Sequence, residues 1–115
     1  MTRDFARDVM LFAADLPSSR IGIVITDHLV RSGSSVGANY RAACRAKSKP
    51  DMASKLGIVL EEADEVQYWL EMAVETKLST SEQIKPLHYT ANRIVGLCVA
   101  SIQTLRGQKS RNRGT

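Results

Sequence analysis

Two cysteines, three prolines and a 5% share of aromatic residues are all that this 115-residue chain has of the residue types that staple, break or broaden a fold. Cys44 and Cys98 stand far apart, each inside an apolar helical pattern, and are expected to be small core residues, not a disulfide or metal pair. With so few prolines, seven glycines and few aromatics, the composition favours helix over sheet. No apolar run approaches the ~20 residues of a membrane span, and Met1-Thr2-Arg3-Asp4 lacks the apolar core of a signal peptide, so a cytoplasmic protein with no membrane partner is expected. Hydrophobic residues at 43% and charged residues at 24% fit an ordinary globular domain and argue against wholesale disorder. The net charge of +4 is mildly basic.

The prolines and the apolar spacing divide the chain into four helices. A short first helix covers about Arg3 to Ala14 on a stripe of Phe5, Val9, Phe12 and Leu16, and stops at Pro17. The second is expected from Ser18 or Ser19 to about Lys47. It carries one stripe of Ile21, Ile25, His28, Ser32, Ser35, Asn39 and Ala42 and another of Ile23, Val30, Gly37 and Cys44, implying two buried faces. The third has the cleanest seam, Met52, Leu56, Val59, Ala63, Val66, Leu70 and Ala73, in alternating four- and three-residue steps that end at the polar Lys77. Ser48 and Asp51 mark its start, with Pro50 early in the first turn. Ser79 and Glu82 read as a capping box for the fourth helix, which buries Ile84, Leu87, Ala91, Ile94, Cys98, Ile102 and Leu105 before Gly107 closes it. Short connections make neighbours antiparallel, giving an all-α, up-down-up-down four-helix bundle over residues 1–107. Residues 108–115 contain no apolar side chain and are expected to form a flexible basic tail.

The stretch from Leu29 through Arg31, Ser35, Asn39, Tyr40 and Arg41 to Ala43, followed by Ser48–Asp51, Lys55-Leu56-Gly57-Ile58, Glu61-Glu62-Ala63 and Tyr68-Trp69-Leu70, carries a family likeness. In order and spacing these motifs, over about residues 5–105, resemble the bacterial four helix bundle proteins, also called large-subunit ribosomal RNA intervening-sequence proteins. The resemblance implies a left-handed bundle, a homopentamer, and distant kinship with the accessory protein of diversity-generating retroelements, which binds nucleic acid and a reverse transcriptase. For most members of that family no biochemical activity is established, so the resemblance implies fold and oligomer more than function. Two positions depart from the family pattern: Ala42 stands where an acid is expected and Met52 where an aromatic is usual. The missing carboxylate leaves this segment more basic.

Gly33 and Gly37 lie one turn apart in the second helix, where each costs about 1 kcal/mol against alanine, so the backbone there is expected to approach another helix closely, within the bundle or between subunits. Mid-helix amides are already engaged, which excludes a phosphate cradle. Charge is segregated. Residues 51–77 hold seven acids and two bases, whereas residues 31–49 hold five bases and no acid. Arg31 and Arg41 are expected to pair with acids of the third helix and so fix register. Arg45, Lys47 and Lys49 read as cations ending the second helix, where they favour its dipole. Arg106, Lys109, Arg111 and Arg113 have no such folding role, and antiparallel topology brings both basic clusters to one end.

Those eight cations, Arg41, Arg45, Lys47, Lys49, Arg106, Lys109, Arg111 and Arg113, are the candidate phosphate contacts for RNA or DNA, multiplied if copies assemble. No aromatic is expected on that surface, which argues against base-specific stacking. Ile58, Tyr68, Trp69 and Met72 lie off the main seam and, with Gly33 and Gly37, are the candidate subunit interface. No catalytic, metal or cofactor site is expected: Ile25 and Lys85 stand three residues before His28 and His88, where a di-iron bundle needs glutamate, and the cysteines lack metal spacing. The expectation is a non-enzymatic, homo-oligomeric bundle that engages nucleic acid through a basic end. The alternative is a structural or protein-interaction oligomer.

Overall fold

Three short polar breaks set the helix boundaries. The computed structural model describes residues 1–107, in which the helices are α1 (Thr2–Ala14), α2 (Arg20–Cys44), α3 (Lys49–Glu75) and α4 (Ser81–Leu105). The Ser19 hydroxyl accepts from the Gly22 amide and the Ser48 hydroxyl from the Asp51 amide, each at 3.1 Å, satisfying first-turn donors that a helix cannot satisfy itself. The expected tail, residues 108–115, lies outside the described residues.

Two boundaries differ from the sequence reading. The fourth helix is capped one residue later, with Thr80 and Gln83 forming the capping box instead of Ser79 and Glu82. The reason lies in how α3 ends. Lys77 takes a left-handed conformation (φ 64°), its amide donates to the Val74 carbonyl, and the Leu78 and Ser79 amides both donate to the Ala73 carbonyl. This closure of the helix C-terminus uses Ser79 to finish α3, so Thr80 is the first residue free to cap α4. α2 is also shorter than expected, ending at Cys44, which places Lys47 in the connection and Lys49 at the first position of α3.

The helices pack as a ring of antiparallel neighbours, α1 on α2, α2 on α3, α3 on α4, with a thinner contact closing α4 to α1; α1 and α3 sit on a diagonal. The α3 seam is buried from Leu56 to Ala73 as its spacing demands, and it meets Phe5, Val9, Ile25, Leu29, Val36, Ala91 and Ile94 in one core. Burying a Leu, Val or Ile side chain is worth about 1.5–3 kcal/mol, so this continuous seam is the main source of stability. The line on α2 is turned relative to the expected stripes: Gly22, Ile25, Leu29, Ser32, Gly33, Val36 and Ala43 are buried, while Ile21, Ile23 and Cys44 are exposed. Cys98 is buried as expected, and its α-carbon is more than 8 Å from that of Cys44, beyond disulfide reach.

Candidate functional site

The glycines explain how α1 seats. A β-carbon on Gly33 would lie 2.8 Å from Val9 Cγ1, and one on Gly37 would lie 3.1 Å from Ala6 Cβ. Both glycines therefore serve the α1–α2 crossing inside one chain. Gly33, fully buried there, is not offered to a second copy, and only Gly37, partly exposed, still reaches the surface.

Along the α2–α3 contact, Arg31 does what its position predicts. Its guanidinium donates to Glu65 at 2.8 Å and pairs with Glu62 at 3.6 Å. Glu65 also accepts from the Trp69 indole at 3.4 Å, and the His28 ring stacks on Trp69 with centroids 4.1 Å apart and planes 12° apart. Burial pushes the Glu62 carboxyl above the usual range. Burial also opposes ionisation of Glu65, but hydrogen bonds from Glu62, Trp69 and Arg31, with the Arg31 charge, outweigh it and hold Glu65 low. Trp69 is thus largely committed within the chain, and Met72 packs against the core, whereas Tyr68 and Ile58 remain exposed. His88 pairs similarly with Glu71, its Nε2 2.7 Å from Oε2.

Arg41 behaves differently from Arg31, since it makes no ion pair among the described residues. With Arg45 it lines an open groove of about 910 Å³ between α1 and α2, whose other rim carries Arg3 and Arg7. Sequence reading missed Arg3 and Arg7 because they join Arg41 and Arg45 only through the antiparallel register of α1 and α2. The usable signal was two arginine pairs at i, i+4 on adjacent helices. Arg7 also donates to Asp8 and pairs with Asp4, so its charge is partly compensated within α1. The groove floor is made of small residues, Ala6, Ser34, Gly37 and Ala38, with Met10, Leu11 and Tyr40 as exposed apolar surface. Tyr40 corrects the expectation that the basic surface lacks an aromatic.

The α1 N-terminus, the α2 C-terminus, the α3 N-terminus and the α4 C-terminus meet at one end, where Lys47, Lys49 and Arg106 are exposed. The expected dipole role fails for Lys49, which opens α3 and so sits at the positive pole of a helix. Lys109, Arg111 and Arg113 lie outside the described residues. Opposite in sign is the outer face of α3, where Ile58, Glu61, Asp64, Tyr68, Glu71 and Glu75 form one exposed stripe without a base. No described helix is long and apolar enough to cross a membrane.

An antiparallel four-helix bundle with a short first helix, a glycine crossing and a charge-segregated surface defines the class. Within it, the 23S rRNA-intervening sequence protein family matches residues 1–100, and the chain belongs to that family. A crystal structure of a protein of unknown function from the S23 ribosomal protein family of Bacteroides thetaiotaomicron VPI-5482 is similar, with 33% identity, a TM-score of 0.82, and coverage of 89% of this chain and 94% of that one. No curated protein matches.

Proposed function

We propose that this chain is a non-enzymatic, self-assembling bundle whose basic end holds RNA or DNA by phosphate contacts, as an accessory to a nucleic-acid enzyme such as a reverse transcriptase. The observation that carries the reading is the gathering of Lys47, Lys49 and Arg106 at one end, beside Arg41 and Arg45, with no ion-pair partner for any of them among the described residues. Paired charges such as Arg31 have a folding role. Lys49 opposes its own helix dipole, so folding alone gives no reason for it. Phosphate contacts of this kind neutralise charge and release counterions, and they select for backbone over sequence. The name of the family, which refers to an intervening sequence of 23S rRNA, is consistent with an RNA partner.

Retention of the full chain on heparin and on a labelled RNA tests the reading, against the triple variant Lys47→Ala, Lys49→Ala, Arg106→Ala and against a chain ending at Leu105. Retention should weaken with salt and fall in both variants. Unchanged retention in both, insensitive to salt, would favour the protein-interaction oligomer, the reading that the exposed acidic face of α3 supports.

A further inference from the structure

The groove and the acidic stripe complement each other in charge and relief, yet one chain cannot bring them together. We infer that the arginine-rimmed groove between α1 and α2 is the seat for the α3 stripe of a second copy of this chain. This rests on the self-assembly part of the reading above and names the surfaces that perform it.

Charge is the first argument. Four arginines line the groove and no carboxylate does. Four carboxylates mark the stripe; Glu71 is paired with His88, and Glu61, Asp64 and Glu75 make no ion pair among the described residues. Complementary potentials of this kind steer encounter and fix orientation.

Relief is the second argument. The groove floor is made of residues no larger than serine and alanine, so a protruding helix can sink between the rims. The stripe offers Ile58 and Tyr68, both exposed and neither needed by its own core, to meet Met10, Leu11 and Tyr40. Removing such apolar and aromatic surface from water supplies the affinity that exposed ion pairs, at about 0–1 kcal/mol each, do not.

Topology supplies the third argument. Because α1 and α3 occupy a diagonal, the groove and the stripe face different directions, and each copy offers one of each. The contact is heterologous, head to tail, so it passes from copy to copy instead of closing a two-fold dimer, and it forms a ring where the rotation between copies closes. Arg41 and Arg45 are then covered by the neighbour, while Lys47, Lys49 and Arg106 stay on the rim.

The test is charge exchange read by light scattering and sedimentation. Arg3→Glu with Arg41→Glu reverses the groove, and Glu61→Arg with Asp64→Arg reverses the stripe; none of the four residues makes an ion pair within its own chain. Each double variant should keep its helical circular dichroism and dissociate at a concentration roughly tenfold to a thousandfold higher than the unmodified chain. The quadruple variant should recover the assembled mass, which no nonspecific loss of folding would do. Double variants that keep their mass, or a quadruple variant no better than the doubles, would overturn the proposed seat while leaving self-assembly standing. An unmodified chain that is monomeric would overturn both. A groove-reversed variant that keeps its mass but loses RNA retention would show phosphate in the groove, and the seat would be refuted.

Discussion

Gly33 is the residue on which the α1–α2 crossing turns. An alanine there must displace Val9, and overpacking of that kind costs about 1–3 kcal/mol, against a helix-propensity gain of about 1 kcal/mol. Gly33→Ala should therefore lower stability by up to about 2 kcal/mol in urea denaturation, and the same substitution in a Val9→Ala background should lose that overpacking penalty. At Gly96 a β-carbon would meet nothing within 4 Å, so Gly96→Ala should stabilise by about 1 kcal/mol. Arg31 offers a second test at this scale. Glu65 is held below its unfolded value, so its contribution is present above that value and is lost as pH falls through the folded one. Arg31→Ala should cost about 0.5–1 kcal/mol at neutral pH and clearly less at pH 2–3, because the pair is partly exposed. A cost independent of pH would mean that Arg31 acts through packing of its aliphatic stem. That Gly33 and Gly37 mark a close crossing was legible in the sequence, because two glycines in one helical turn need a reason. Whether the crossing partner was α1 or another subunit was not, since glycine carries no record of what approaches it.

At the scale of elements, the α3 seam was readable position by position because one helix buried on two flanks repeats its apolar residues strictly. The buried line on α2 was not. Gly22, Ser32 and Gly33 occupy three of its positions and give no hydrophobic signal, while the exposed Ile21 and Ile23 give a misleading one. The α3–α4 connection shows the same limit: Lys77 adopts the left-handed conformation usually left to glycine, and nothing in its side chain announces it. Lys77→Gly should relieve that conformation and stabilise by about 1 kcal/mol, measured by thermal or urea unfolding. Thr80→Ala should cost about 1 kcal/mol, and Glu82→Gln should leave the cap intact, since Gln83 is the residue that reaches back to the Thr80 amide.

For the whole molecule, the bundle architecture and the basic end were both legible, the first from periodicity and the second from the charge count. Arg3 and Arg7 were not, because a groove is a property of two helices in register and not of either alone. The acidic face of α3 was counted in the sequence, but only the structure separates its inward acids, Glu62 and Glu65, which serve Arg31, from the outward stripe, of which Glu71 pairs with His88 while Glu61, Asp64 and Glu75 make no ion pair among the described residues. In the proposed assembly the positive groove of one copy meets the negative stripe of the next, and the rim of cations at one end is repeated from copy to copy. Salt should act on both surfaces, though for different reasons, so mass and nucleic-acid affinity are best followed together.

The most direct measurement is the affinity of the intact chain for a single-stranded RNA oligonucleotide across a range of monovalent salt, at a protein concentration where the mass is constant. Phosphate contacts from the basic end predict a straight line of log affinity against log salt with a slope of about −2 or steeper, shallower in the Lys47, Lys49, Arg106 alanine variant. A slope near zero, or one the variant does not change, would contradict the account.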